Sequence, residues 1–484
     1  MGKSDYNLGM QDIVIIGGGV IGAFVARNLS RYKVNVLVLE KENDVGDATS
    51  MANSAIVHSG YDPVPGTKKA YFNVKGNAMF DEIADELDVT VNRVGSLTVA
   101  LEDKQMQMLQ DLQKRGELNG VPTKLLNAEE VKAIEPNISK DVKGALLCPT
   151  AGIVNPFTLT AHAFENATDN GVKVALGEEV IDIKKKDGVY HIKTKKNEYT
   201  AKMIINCAGV YSEEIAKMIE PIEWTIHPRK GQYYVLDHYA PGLVNHVLFP
   251  LPSEKGKGIL VTMTTSGNYL VGPSSEFTDE KDDVATDALT LAEVKRQASM
   301  MVPNIPFYEQ IRVFAGLRAT PSTHDFIIEP SKSDPYFIIC AGIESPGLVS
   351  SPAIGEYVVE ELVKPLMKLE PNPNYNPRIK PYLKMSKLSD EEKDAFIKTH
   401  PEYGEIICNC EKISRGEIID ACSRSLPCLT IKAVKKRTRA GFGKCQGGFC
   451  QPKVLLQLAS IQHISPLEVK YDQDGSEILL KESK

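Results

Sequence analysis

Six of the nine cysteines lie after residue 400, and their spacing is regular enough to do chemistry. Cys408-Asn409-Cys410 is a C-x-C pair, and after 34 intervening residues Cys445 and Cys450 form a C-x4-C pair. A cytosolic chain keeps its thiols reduced, so four clustered thiolates point to a metal or redox group rather than to a disulfide framework. Zinc is one occupant such a set can take, although zinc modules ordinarily use C-x2-C pairs. Cys422 and Cys428, spaced C-x5-C between the two pairs, have no partner motif and read as packing thiols.

A second constellation lies near the start of the chain. Gly17-Gly18-Gly19-Val20-Ile21-Gly22 satisfies G-x-G-x-x-G, with an acid, Glu40, at the end of the next apolar run. Gly17 allows a tight turn, Gly19 lets a pyrophosphate approach backbone N–H groups at a helix terminus, and Gly22 permits close helix–strand packing. Glu40 can accept hydrogen bonds from ribose hydroxyls.

These residues need a β-α-β unit to position them. The β-branched run 12–16 predicts a strand, the stretch to about Arg31 a helix, and Val34–Leu39 the second strand. A hairpin is expected near 180–204, and further strands at 232–237, 258–263, 268–272 and 336–340. Two of the later apolar strands end in small residues, at Asn206-Cys207-Ala208-Gly209 and Cys340-Ala341-Gly342-Ile343, which lets backbone approach a long, continuous ligand.

The glycine motif alone does not separate FAD from NAD. The segment from Glu40 to Gly60, with Thr49-Ser50-Met51-Ala52-Asn53-Ser54 and His58-Ser59-Gly60, resembles the D-amino-acid-oxidase-like flavoproteins. It is similar in particular to the FAD-dependent glycerol-3-phosphate dehydrogenases and oxidases, over most of residues 10–365. The resemblance implies FAD as cofactor, with Gly347 and Leu348 also beside it, and an α/β fold: a Rossmann-like FAD-binding domain with an inserted mixed β-sheet substrate-binding domain. It places His58 beside the flavin ring, and it matches Gly316-Leu317-Arg318-Ala319-Thr320-Pro321 to the strand that carries a substrate-binding arginine. Lys257 matches a position associated with phosphate recognition, and Ser345 falls near substrate and flavin. Met51 departs from the family, which often has a basic or polar residue there.

The chemistry is consistent with those residue types. Oxidising a secondary alcohol needs a base of pKa near the working pH for the hydroxyl proton, and histidine is the natural one, which makes His58 the candidate. Arg318 offers a planar fork of donors for a phosphate or carboxylate. Glu344 is a further pocket candidate. The implied reaction is oxidation of glycerol 3-phosphate to dihydroxyacetone phosphate. The alternatives are a dehydrogenase of L-2-hydroxyglutarate or of an amino or imino acid, which share the fold and an arginine, and a non-catalytic flavin/iron–sulfur electron-transfer subunit.

The four-cysteine pattern resembles the bacterioferritin-associated-ferredoxin-like domain, which implies a [2Fe-2S] cluster held by Cys408, Cys410, Cys445 and Cys450 in a small, mainly helical C-terminal unit. The intervening Lys435-Lys436-Arg437-Thr438-Arg439 strengthens the match, and its charge is expected to lower the cost of an anionic cluster. Electrons would then pass to a redox partner protein or subunit.

Length and composition fit this organisation. At 484 residues the chain exceeds what one core usually serves, and 42% hydrophobic with 25% charged residues is ordinary for a folded enzyme. A net charge of -7 speaks against nucleic acid as a partner. No basic-then-apolar leader and no long apolar run is visible, so a cytoplasmic location is expected, with membrane association only through a partner. The expected organisation is an oxidoreductase region over 10–367, a Pro- and Asn-rich linker over 368–400, a [2Fe-2S] domain over 401–453 and a tail over 454–484.

Overall fold

The computed structural model describes residues 9–238, 242–252 and 258–481. The strand Gln11–Ile16 forms the centre of the first sheet because Ile13, Val14 and Ile15 are apolar on both faces, as a parallel strand covered on both sides requires. It runs parallel to Val36–Glu40 on one side and to the end of Glu198–Asn206 on the other. Lys173–Leu176 extends the sheet beyond Val36–Glu40, and Phe337–Ala341 runs parallel to Glu198–Asn206. The hairpin Val180–Lys186 and Val189–Thr194 adds the antiparallel edge. This is a doubly wound dinucleotide-binding sheet, with the helices Val20–Leu29, Pro156–Asp169 and Gly347–Tyr357 packed on one face. Phe24 and Phe164 are fully buried there, each worth about 2–3 kcal/mol of burial.

The second sheet, nine-stranded among the described residues, is the inserted unit. Its long strands Ile226–Leu236 and Gln310–Pro321 pair antiparallel over almost their whole length. Val247–Pro250 pairs in parallel with Ser96–Ala100, so the sheet is mixed, as expected. The helix Ala288–Met301 covers one side, with Val294 and Ala298 in the shared core. Strands expected at 232–237, 258–263, 268–272 and 336–340 lie within or against Ile226–Leu236, Leu260–Met263, Tyr269–Gly272 and Phe337–Ala341.

Residues 368–400 form a strap rather than a free tether. Ile379 sits in the core of the first domain, Asn166 and Asn170 donate to the carbonyl of Asn376, and Tyr382 stacks on His162 with ring centroids 4.6 Å apart. The strap contains a helix of its own, Asp390–Thr399, closed by a capping box from Ser389 and Glu392. Beyond it, Ile406–Cys408 pairs with Ile413–Ser414, followed by the helices Arg415–Cys422, Ile431–Thr438 and Gln451–Gln462. The boundary expected at 453 falls inside the last of these helices, and Leu458, Ala459 and Val469 share the core that buries Cys422, Cys428 and Cys450. Residues up to about 469 therefore fold with the cluster unit.

The basic run differs from expectation. Lys436 and Arg437 turn away from the cysteine loop and pair with Asp44 and Asp47 of the first domain, while Arg439 pairs with Glu411. Successive helix residues are rotated by about 100°, so only Lys435 of the three consecutive basic residues keeps the side facing Cys450. Among the described residues no helix is long and apolar enough to cross a membrane.

Candidate functional site

The glycine-rich turn leads from Gln11–Ile16 into the helix Val20–Leu29. A side chain at Gly22 would run into the carbonyl oxygen of Gly17, and one at Gly17 into that of Cys207. Gly17 also has φ 115°, which favours glycine. Gly19 differs from both: the nearest atom to a side chain there is Oγ of Ser50, at 3.2 Å, and the position opens on a large cavity. The helix that follows has no acidic residue in its first turn, so its N–H groups present partial positive charge to the cavity. An open glycine at a donor-rich helix start fits the pyrophosphate of FAD.

Glu40 supports that turn from behind, accepting from the N–H of Gly18 at 2.5 Å and from that of Glu42 at 2.8 Å. Burial raises the pKa of its carboxyl, and these two donors oppose the rise. Ser50 Oγ accepts from the N–H of Val20, and Thr49 Oγ1 donates to the carbonyl of Leu317, which ties the loop to the inserted domain. Asn53 holds the loop's own shape, donating to the carbonyls of Thr49 and Ser50 and accepting from the N–H of Ala55.

The cavity, of about 860 Å³, runs between the two sheets. Gly19, Thr49, Ser50, Asn53, Ser54 and His58 line one side; Gly209, Arg318, Ile343, Ser345, Gly347 and Leu348 line the other. Ala208 begins the turn at Gly209, and Gly342, at φ 65°, shapes the bend before Ile343. The cavity thus brings together most of the residues singled out from sequence, while Gly17, Gly22, Glu40, Ala208 and Gly342 shape it from behind. Lys257 lies outside the described residues.

His58 follows the short strand Ile56–Val57. Its backbone carbonyl accepts from the side-chain amides of Asn73, at 2.7 Å, and Asn77, at 2.9 Å, both on the helix Lys68–Glu86. Its ring packs against Phe249, and Nε2 lies 3.4 Å from Oγ of Ser345. Arg318 is equally fixed: Nε donates to the carbonyl of Arg229, and Nη2 to the carbonyls of Lys230 and Ser274. Carbonyl partners orient the fork without neutralising its charge, so it remains available to an anion.

Three cavity residues, Arg229, Lys69 and Tyr233, emerge only from the structure, two of them as partners of Glu344. Glu344 Oε2 accepts from Nη2 of Arg229, at 2.6 Å, and Oε1 from Nζ of Lys69, at 2.9 Å. Burial alone would raise the Glu344 carboxyl, but Lys69 and Arg229 outweigh it and hold the pKa below the ordinary value. Tyr233 donates to or accepts from Ser54 at 3.0 Å and stacks on Phe314. Arg229 lies outside the apolar part of its strand, and Lys69 in the first turn of a helix, so neither carries a motif. Their shared carboxylate, Glu344, was the one legible member.

The cysteines of the C-terminal unit stand as two pairs. Sγ of Cys410 and Cys445 are 3.8 Å apart, and Cys408 interacts with Cys450. Among the described residues no group of three or more converges on a single metal ion. Two thiol pairs match the donor set of a cluster with two irons. Around Cys445 the loop turns backbone N–H groups inward, with Gln446 at φ 49° and Gly447 at φ 93°. Burial works to raise this thiol, but the N–H groups of Phe449, Gly447 and Gly448 prevail and leave its pKa below the usual value. A nest of donors around a thiolate is what an anionic cluster needs.

Residues 12–361 match the family described as FAD dependent oxidoreductase, and residues 406–459 the BFD-like [2Fe-2S] binding domain. The chain belongs to the FAD-dependent oxidoreductase family, with a [2Fe-2S] domain appended. It is 46% identical to a glycerol 3-phosphate dehydrogenase of Caloramator mitchellensis, over 98% of this chain and 99% of that one. It is 34% identical to a glycerol 3-phosphate oxidase of Mycoplasma genitalium, over 75% of this chain and 98% of the relative. The FAD-bound, dithionite-reduced L-alpha-glycerophosphate oxidase of Mycoplasma pneumoniae superposes with a TM-score of 0.74 at 30% identity, covering 78% of this chain and 100% of that one. The protein is therefore an enzyme, an FAD-dependent oxidoreductase homologous to glycerol-3-phosphate dehydrogenase, with FAD and a [2Fe-2S] cluster as its cofactors.

Proposed function

We propose that the enzyme oxidises sn-glycerol 3-phosphate to dihydroxyacetone phosphate and delivers the electrons, by way of its C-terminal cluster, to a redox partner protein. The observation that carries this reading is the meeting, in one cavity, of Nε2 of His58 beside Ser345 with the carbonyl-anchored guanidinium of Arg318. When bound, FAD supplies the hydride acceptor and the cluster a one-electron carrier. Nε2 of His58 takes the proton of the substrate's secondary hydroxyl as carbonyl character develops at that carbon. Ser345 Oγ holds the imidazole's direction, and the two amides on the His58 carbonyl keep its backbone in place. Arg318 binds the phosphate or steadies the developing oxygen, and both roles use its fixed charge. Arg229 and Lys69 extend the positive surface of the cavity, with Glu344 balancing part of it. Delivery to a partner is supported by the exposure of Cys410 and of Phe449 at the edge of the cysteine loop.

The test is anaerobic titration of the purified holoenzyme with glycerol 3-phosphate, following flavin bleaching and the iron–sulfur bands together. Bleaching at stoichiometric substrate, with dihydroxyacetone phosphate recovered, is expected. Bleaching by 2-hydroxyglutarate or proline alone would reject the substrate assignment.

A further inference from the structure

Between Glu40 and the cavity residues Thr49 and Ser50, the chain makes a turn that carries two buried acids. The side chains of Asp44 and Asp47 are 1% and 2% exposed, and neither reaches the reacting centre. Their partners come from the other end of the sequence. On the helix Ile431–Thr438, Arg437 Nη1 and Nη2 both donate to Asp44 at 2.7 Å, a bidentate pair. Lys436 Nζ lies 2.7 Å from Asp44, is paired with Asp47, and donates to the carbonyl of Val45 at 2.8 Å. Lys432 reaches Asp47 at 3.5 Å.

The contact continues to the glycine-rich turn. The residue after Val45 is Gly46, whose N–H donates to the carbonyl of Gly18 at 2.9 Å, while the N–H of Gly18 donates to Glu40. The turn that receives the FAD pyrophosphate is therefore held on its carbonyl side by a loop that the C-terminal unit grips. Electrostatics acts in the same direction. Buried acids that lose their cations take up protons and give up their charge-assisted hydrogen bonds, which would free the loop, and the partner cations come from the cluster domain.

We propose that Lys436 and Arg437 of the [2Fe-2S] domain are positioning residues for the FAD pyrophosphate turn, so that seating of the C-terminal domain and retention of FAD are coupled. The coupling is reciprocal: FAD bound at Gly17–Gly19 stabilises the docked cluster domain as much as docking stabilises FAD. The inference rests on the two cofactors and the loop geometry, and it is independent of the substrate.

The experiment compares Lys436→Gln with Arg424→Gln. Arg424 also joins the cluster domain to the first domain, through Glu165 at 2.9 Å, but touches no part of the glycine-rich turn or its supporting loop. FAD release from the holoenzyme is followed by flavin fluorescence, with cluster absorbance and visible circular dichroism read on the same samples. Lys436→Gln should speed FAD release about tenfold, the effect of losing a charge-assisted hydrogen bond. Lys436→Arg should restore slow release, Arg424→Gln should change it less than twofold, and the cluster spectra should stay unchanged in all three. Equal acceleration by Lys436→Gln and Arg424→Gln, or none by Lys436→Gln, overturns the proposal.

Should Lys436→Gln fail to fold, hydrogen exchange on the wild-type chain decides. Removing FAD should expose residues 430–438 to exchange while 418–426 stay protected. Equal change in both segments, or none in 430–438, overturns it as well.

Discussion

Arg229 and Arg318 stand directly opposite each other across the antiparallel strands Ile226–Leu236 and Gln310–Pro321. Like charges in that register oppose strand pairing, so the arrangement calls for compensation. Arg318 is anchored by neutral carbonyls and Arg229 by Glu344, which leaves the pair with net positive charge facing the cavity. An anionic substrate is the natural balance. Arg229→Met is expected to raise KM for glycerol 3-phosphate by about 10–100-fold with a smaller change in kcat, the signature of a lost ground-state contact. Steady-state kinetics with a dye acceptor checks it, and an unchanged KM would remove Arg229 from substrate binding.

His58 carries the proton step in the proposed reaction. His58→Ala is expected to lower the rate of flavin reduction by about 10²–10⁴-fold, the usual contribution of a positioned base. FAD should remain bound, because the pyrophosphate turn and the Asn53-knit loop do not depend on the imidazole. Anaerobic stopped-flow with the visible flavin spectrum separates the two effects. A variant that is reduced at the wild-type rate would assign the base to another group.

The chain divides clearly into what sequence makes legible and what it does not. Gly17, Gly19 and Gly22 are readable because the spacing between them is fixed by the turn: Gly17 takes a positive φ, a side chain at Gly22 would meet the carbonyl of Gly17, and Gly19 leaves the helix start open to a ligand. His58, Arg318 and the four cysteines are readable because their segments resemble a family. Arg229 is hidden, since its role comes from cross-strand register with a residue 89 positions away. Lys436 and Arg437 mislead in the opposite way. Proximity to cysteines suggests neutralisation of a cluster, whereas helical rotation aims them at Asp44 and Asp47, almost four hundred residues earlier in the chain. The strap over 368–400 looks like a tether because prolines interrupt regular structure, yet its backbone carbonyls serve as acceptors for Arg27, Asn166 and Arg424.

The cysteine pairs predict a separation of two half-reactions. Cys410→Ser removes one thiolate from the exposed pair and is expected to abolish the [2Fe-2S] absorbance and electron paramagnetic resonance signals. Substrate should still bleach the flavin in the same sample, since His58 and Arg318 are untouched, while turnover with a large protein acceptor falls at least tenfold. Turnover with such an acceptor at the wild-type rate would mean that electrons leave directly from the flavin site.

Acid should loosen the strap through His162. This residue lies on the helix Pro156–Asp169, with Nδ1 hydrogen-bonded to the carbonyl of Leu87 at 2.7 Å and its ring stacked on Tyr382. Burial, aided by the nearby cations Lys384, Arg437 and Arg424, depresses its pKa to about 3, against 6.5 for an exposed imidazole. The folded state thus keeps the ring neutral where the unfolded chain protonates it. The resulting stability is present above about pH 6.5 and is lost as pH falls toward 3, with a slope of up to about 1.4 kcal/mol per pH unit. Glu165, hydrogen-bonded to Tyr382, has its carboxyl raised by burial and acts with the opposite sign, so the His162 contribution is isolated by difference. Denaturant unfolding of wild type and His162→Gln between pH 4 and 7.5 should show the wild type losing stability more steeply below pH 6.5. Parallel curves would mean that the imidazole titrates alike in the folded and unfolded chain, so that burial does not hold it neutral.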